Sequence, residues 1–296
     1  MLGFNFSLSQ KYRIKNVCII IAIILVPIGL GGISTQANLV GHWSRYATLT
    51  TITAFLYLYS TSRSKRDIII SVVIMSLGVL SGTGKSLGFV AITVCIFLFA
   101  KKDFVKFSLK NILIATIGLL TVVYVAWDDI QFYLVQGNSG DIETTFARAL
   151  MYNYTPILLD DYFPFGTGFG TYATSASCEY WSPIYRMYKL DLNYEIGKRA
   201  FVTDAFYPSL AEFGYFGIAC FLFFWGYYIK KAYQLFKLNT DSFLLKCIIL
   251  IVVFFAIEGV ADSTFTQNRG MFMMMLLAIL IKESELKSFK INNRNA

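Results

Sequence analysis

Long apolar runs, each closed by a short polar or basic break, dominate the chain. They lie near residues 16–33, 46–61, 67–82, 86–100, 111–127, 204–229, 242–260 and 269–281. A hydrocarbon core about 30 Å thick needs about 17–25 helical residues, so these runs predict an all-α polytopic membrane protein with about eight transmembrane helices. The third and fourth runs are brief and share the turn Ser81-Gly82-Thr83-Gly84-Lys85-Ser86. Between the fifth and sixth runs the pattern changes. Residues 128–203 mix acids, bases and many tyrosines, and a connection of that length reads as a folded, functional loop. The chain therefore divides into helices one to five (1–127), a long loop with short helices (128–203), and helices six to eight with a tail (204–296). Within the loop, Ile142, Phe146, Ala149, Leu150 and Ile157 recur near helical spacing, which predicts a helix over 142–160 carrying Arg148. Asp141 is placed to cap it and Glu143 to sit in its first turn.

Charge orients these elements. Lys11, Arg13 and Lys15 precede the first run, and Arg63, Lys65 and Arg66 separate the second from the third. Lys101, Lys102, Lys106 and Lys110 follow the fourth; Lys230, Lys231 and Lys237 follow the sixth; Lys282, Lys287, Lys290 and Arg294 end the chain. Every second connection is thus basic, while 34–45 and 261–268 carry almost no Lys or Arg. Lys and Arg concentrate in cytoplasmic loops, so both termini are expected in the cytoplasm and the 128–203 loop outside it.

Composition agrees with that reading. The chain is 56% hydrophobic and only 15% charged, too little charge to wet the surface of a soluble domain. A net charge of +8 raises nucleic acid as a partner, but its placement in alternate connections assigns it to cytoplasmic loops, and no nucleic acid is expected. Cys18, Cys95, Cys220 and Cys247 lie in apolar stretches, Cys178 stands apart and His42 is the single histidine, so neither a disulfide framework nor a metal site is expected. The apolar run 17–33 lacks a small-residue cleavage site and is read as a span rather than a cleaved signal. Two glycine-rich stretches fail as nucleotide motifs. Gly84-Lys85-Ser86 ends like a P-loop, but Val79 stands where that motif needs glycine. Gly166-Thr167-Gly168-Phe169-Gly170 has Thr171 where a dinucleotide fingerprint needs its third glycine, and no βαβ pattern surrounds it.

What remains is a set of charges at the outer rim: Lys85, Arg148, Arg186, Lys189, Lys198, Arg199, Asp204, Glu212, Glu258 and Arg269. Charge at membrane depth is costly and marks a pathway, a pair or a site, with snorkelling and helix-end ion pairs as the plain reading. The order of the surrounding motifs is informative. Phe146-Ala147-Arg148-Ala149-Leu150 is followed by Phe163-Pro164-Phe165-Gly166-Thr167-Gly168-Phe169-Gly170-Thr171-Tyr172. Asp204-Ala205-Phe206-Tyr207 then runs into Leu210-Ala211-Glu212-Phe213-Gly214-Tyr215-Phe216-Gly217. This ordered trio resembles the O-antigen polymerase and O-antigen ligase (Wzy-type) family of bacterial membrane glycosyltransferases, over roughly residues 75–230. The family generally has ten or more spans, and the shortfall here falls before the loop.

The resemblance implies an enzyme of the bacterial inner membrane, active on its outer face without metal or cofactor. It joins oligosaccharide repeat units carried on undecaprenyl pyrophosphate, with membrane lipids, a chain-length regulator and a flippase as partners. A pyrophosphate leaving group calls for guanidinium and ammonium partners, which the resemblance assigns to Arg148, Lys85 and Arg199. Lys85 stands where the family commonly has arginine, so the charge is kept and the bidentate fork is not. The acceptor hydroxyl needs a base or an orienting acceptor; Asp204 and Glu212, with Arg148, are the catalytic candidates. Ligases place a histidine where this chain has Asp204, which favours polymerase over ligase. Gly166, Gly168 and Gly170 would let backbone approach the substrate. Tyr172, with Trp181, Tyr185 and Tyr188, would stack on sugar faces or anchor at the interface. Two alternatives stay open: a ligase moving finished glycan to a lipid or protein, and a transporter or flippase of a lipid-linked or anionic substrate.

Overall fold

The computed structural model describes residues 6–99, 113, 131, 140–203, 205–237 and 242–295, and among them every regular element is helical. The helices, numbered through the described residues, are α1 Leu8–Leu30, α2 Gly32–Val40, α3 Trp43–Ser60, α4 Lys65–Ser76, α5 Gly84–Phe99, α6 Ala147–Asp161, α7 Ser175–Glu179, α8 Pro183–Met187, α9 Tyr194–Gly197, α10 Gly214–Lys237, α11 Ser242–Ala261 and α12 Asn268–Asn295. Short 3-10 turns stand at Leu77–Ser81, Leu190–Leu192, Tyr207–Glu212 and Thr264–Thr266. The expected span at 111–127 lies outside the described residues, Leu113 apart. Among the described residues, Leu8–Leu30 and Phe243–Ala261 are long and apolar enough to cross a membrane. On α1 the apolar residues face outward: Val17, Ile20, Ile23, Ile24 and Leu30 are all exposed.

The chain forms two compact units. The first comprises Met1–Ala126, Lys231–Ile251 and Arg269–Ala296. Here α3 packs between α1 and α4. Nearly all of α3 is buried although it carries many hydroxyls, because Thr48, Thr51 and Ser60 donate to their own helix carbonyls at Ser44, Ala47 and Leu56. A hydroxyl bonded to the preceding turn leaves no polar atom orphaned. The expected third span is an α-helix only to Ser76. It tightens to a 3-10 turn over Leu77–Ser81 and ends at Gly82, whose φ of +71 suits glycine.

Basic residues from separate connections meet on α12. Glu283 accepts Lys11 Nζ at 3.3 Å and Arg63 Nη2 at 3.0 Å, while Glu285 pairs with Lys231 at 2.8 Å and Lys282 at 3.3 Å. Arg63 also covers the Phe243 ring and Lys11 the Tyr59 ring. Glu283 is mostly buried, so removing it takes a shared carboxylate from two partly buried cations. Glu283→Ala is expected to cost about 1–3 kcal/mol, the usual range for losing hydrogen bonds to charged groups. Thermal unfolding of the purified protein in detergent checks this; an unchanged midpoint would show the pairs to be idle.

The second unit comprises Trp127–Lys230 and Val252–Asn268. Its core gathers Leu150, Met151 and Leu158 of α6 with Tyr172, Ile184, Tyr185, Leu190, Ile196 and Val202. The 128–203 loop, over its described part, is therefore a folded body with its own apolar centre. Phe206, Phe221, Trp225 and Phe255 surround Phe265 with ring centroids 4.9 to 6.2 Å apart, joining α10 and the end of α11. The segment after residue 204 is not one continuous span. Pro208 sits at the start of the Tyr207–Glu212 turn, Gly214 takes a φ of +63, and the long helix begins only there.

Candidate functional site

Arg148 is the second residue of α6, half-buried. The helix starts later than its pattern suggests. Thr145 turns back to bond the Asp141 carbonyl through both its N–H and its hydroxyl, so Phe146, not Asp141, precedes the first helical residue. The cap comes from far along the chain: Glu195 Oε2 accepts the Ala147 N–H at 2.9 Å. A carboxylate there meets free amide donors and the positive end of the helix dipole. Asn193 secures it, donating to the Ile142 and Thr145 carbonyls at 2.7 Å each and accepting the N–H groups of Glu195 and Ile196. At the other end of α6, Asp160 accepts from the Tyr215 hydroxyl at 2.7 Å and Asp161 from the Tyr188 hydroxyl at 2.6 Å.

After α6 the chain enters the glycine-rich loop through a cis Phe163-Pro164 bond. The loop seats on the Tyr207–Glu212 turn by direct backbone contact. Thr167 N–H donates to the Ala211 carbonyl at 3.1 Å, Gly168 N–H to the Glu212 carbonyl at 3.0 Å, and Phe216 N–H to the Pro164 carbonyl at 3.2 Å. Gly166 makes this approach possible: a Cβ there would overlap the Ala211 carbonyl oxygen and the Gly214 nitrogen. Gly214 meets Pro164 and Gly166 in the same way. Gly166 thus serves an approach to the protein's own backbone. Gly168 is exposed, and a Cβ there would meet only Thr171, at 3.8 Å; one at Gly170 would meet Ala176 at 3.2 Å.

Glu212 fastens the seat from within. Its Oε1 accepts the Tyr172 N–H and the Thr174 hydroxyl, both at 2.8 Å, and the side chain is 1% exposed. Oε2 is buried and has no hydrogen-bond partner among the described residues. The carboxylate expected to orient an acceptor hydroxyl is therefore enclosed, with one oxygen committed to the loop. It lies at the end of a 3-10 turn, just before the start of α10. Asp204 itself lies outside the described residues.

Tyr172 is likewise enclosed. Its hydroxyl donates to the Met151 carbonyl at 2.7 Å and its ring is wholly buried, so no ring face is open to a sugar. Tyr185 is also buried, accepting the Ala173 N–H and sharing a hydrogen bond with Ser177; burial pushes its phenol up to about 12. The stacking expected of these two tyrosines gives way to core packing, because the loop folds around them. Trp181 stacks on Tyr185 with centroids 4.9 Å apart, and the Arg199 guanidinium lies 5.3 Å from the Trp181 ring centre while Nη1 donates to the Glu179 carbonyl. Arg199 is exposed and takes a φ of +62.

The structure thus joins Gly168, Tyr172 and Glu212 by direct bonds, with Gly166 in close backbone approach to Ala211 and Gly214, and links Tyr172 to α6, the helix of Arg148, through Met151. Arg199 reaches this core through Trp181, which stacks on Tyr185, and Lys85, second residue of α5, belongs to the other unit. Thr174, Asn193 and Glu195 carry weight that sequence reasoning does not assign. Local signals exist for Thr174, whose capping box with Ser177 starts α7, and for Asn193, which caps α9, but not for the reach of Glu195 to α6. Among the described residues, no group of three or more His, Cys, Asp or Glu is placed to hold a metal ion. No family model, curated protein or solved structure matches the chain.

Proposed function

We propose that the chain is a multi-pass enzyme of the bacterial inner membrane that polymerises undecaprenyl-pyrophosphate-linked oligosaccharide repeat units at the outer face. The observation that carries this reading is the seating of Phe163–Tyr172 on Leu210–Gly217. Two stretches that bear the resemblance to Wzy-type polymerases and ligases form one bonded assembly around Glu212. Support for the membrane topology comes from the cations. Lys11, Arg63, Lys231 and Lys282, which the charge pattern assigns to one side of the bilayer, converge on one pair of glutamates.

In the proposed reaction an acceptor hydroxyl attacks the anomeric carbon of the donor sugar. The bond from that carbon to the phosphate oxygen breaks, and undecaprenyl pyrophosphate departs with the electron pair. Arg148 binds the diphosphate and stabilises its growing charge. Asp204 takes the hydroxyl proton. Glu212 acts through the loop it holds rather than on substrate.

The test is genetic and chemical. Deleting the gene should shorten surface polysaccharide to single repeats, and Arg148→Ala should fail to restore it, with turnover down about 10²–10³-fold as for loss of one charge-stabilising donor. Normal chain-length ladders in both strains would defeat the proposal. Long chains left on the carrier lipid would indicate a ligase instead, and labelled-substrate flux through purified protein in vesicles without a new glycosidic bond would indicate a transporter.

A further inference from the structure

Six aromatic side chains cluster where the glycine-rich loop meets the start of α10, and all are exposed. Phe163 packs on Tyr215, Phe165 on Phe216 and Phe169 on Phe213, with ring centroids 5.8 to 6.1 Å apart. Their exposures run from 42% at Tyr215 to 84% at Phe169. Large contiguous apolar patches on a protein surface mark a docking or membrane surface. The rings stand on a fixed base, because the Gly166 and Gly214 approach and the three loop-to-turn hydrogen bonds set the backbone beneath them.

What covers the patch follows from its continuation. Along α10, Phe216, Ala219, Cys220, Phe223 and Tyr227 recur at helical spacing, all exposed, and the stripe stops at Lys230. From Phe216 to Lys230 the helix rises only about 21 Å at 1.5 Å per residue. A hydrocarbon core is about 30 Å thick, so the stripe alone falls short by about 9 Å. The Phe163, Phe165 and Phe169 rings extend the apolar band beyond the helix start. They carry no charge, and Tyr215 turns its hydroxyl to Asp160, the arrangement of an apolar ring with a wet tip that suits the membrane–water interface.

We infer that the Phe163–Phe169 loop is a lipid-docking element, dipping its three phenylalanines into the outer interface of the bilayer beside the start of α10. This rests on the membrane-spanning part of the proposed function and not on its chemistry. A loop anchored there holds the assembly around Glu212 at the depth where the diphosphate of a lipid-carried substrate lies, so such a substrate is met from the membrane rather than from bulk water.

The test uses the full chain in cell membranes with the photoreactive residue p-benzoylphenylalanine at Phe169, and at exposed Glu179 as a comparison. Irradiation followed by intact-mass measurement should give phospholipid adducts at Phe169 and none at Glu179. Adducts of Phe169 with another protein or a second copy of the chain, or no lipid adduct beyond that at Glu179, would overturn the inference. Failure of the polysaccharide-ladder test alongside lipid adducts would remove the enzyme and leave the anchor; normal enzyme behaviour without lipid adducts would do the reverse.

Discussion

Gly166→Ala is expected to unseat the glycine-rich loop and destabilise the second unit by about 2–6 kcal/mol. About 1–3 kcal/mol comes from holding a non-glycine residue at positive φ, and a similar amount from forcing a methyl group into filled space. The second part is severe here because the overlapped atoms are backbone: the Ala211 carbonyl oxygen and the Gly214 nitrogen cannot rotate away. Relief requires parting the two segments, which breaks the Thr167 and Gly168 hydrogen bonds. Gly168→Ala is the control. It has a positive φ of +97 but open space, so only the first cost applies. Limited proteolysis of the 163–174 segment and thermal unfolding should rank Gly166→Ala well below Gly168→Ala. Equal behaviour of the two variants would show that the close approach does not hold the loop.

Glu212→Ala is expected to cost about 2–5 kcal/mol, because it removes the shared acceptor of two hydrogen bonds and strands a buried amide. Glu212→Gln separates holding from chemistry. Its amide oxygen can keep both bonds, so the protein should fold and retain most of its chain-length ladder, while alanine loses both. If glutamine leaves proteolytic resistance intact yet abolishes polymerisation, Glu212 acts on substrate and the latch reading is wrong.

Much of the helical frame is legible in the sequence, because long apolar runs without strand-like alternation translate directly into helices. The runs at 46–61 and 242–260 correspond to Trp43–Ser60 and Ser242–Ala261. The run beginning at 204 misleads because apolar side chains continue through Pro208 and Gly214, and the punctuation outweighs hydrophobicity in setting where the helix starts. The start of α6 misleads for another reason. Asp141 offers a local cap, but Glu195 and Asn193 supply the real support from a distance that no periodicity reveals. Tyr172 and Tyr185 are similarly ambiguous: a tyrosine pattern does not say whether the ring faces a ligand or a core. The glycines of Gly166–Gly170 announce a close backbone approach, and only the fold shows that its partner is the Leu210–Gly217 stretch.

Sequence separation within the second unit also sets an order of assembly. Its apolar centre, from Ala147 to Ala211, is drawn from one uninterrupted stretch, so it can condense as soon as that stretch has emerged from the ribosome. Glu212 and Gly214 arrive next and close the glycine-rich loop at the start of α10. Gly259 and Val260, whose carbonyls bond Phe206 and Tyr152, arrive last and brace a body that is already built. A nascent chain halted shortly after α10 should therefore display a protease-resistant fragment before the final two helices exist.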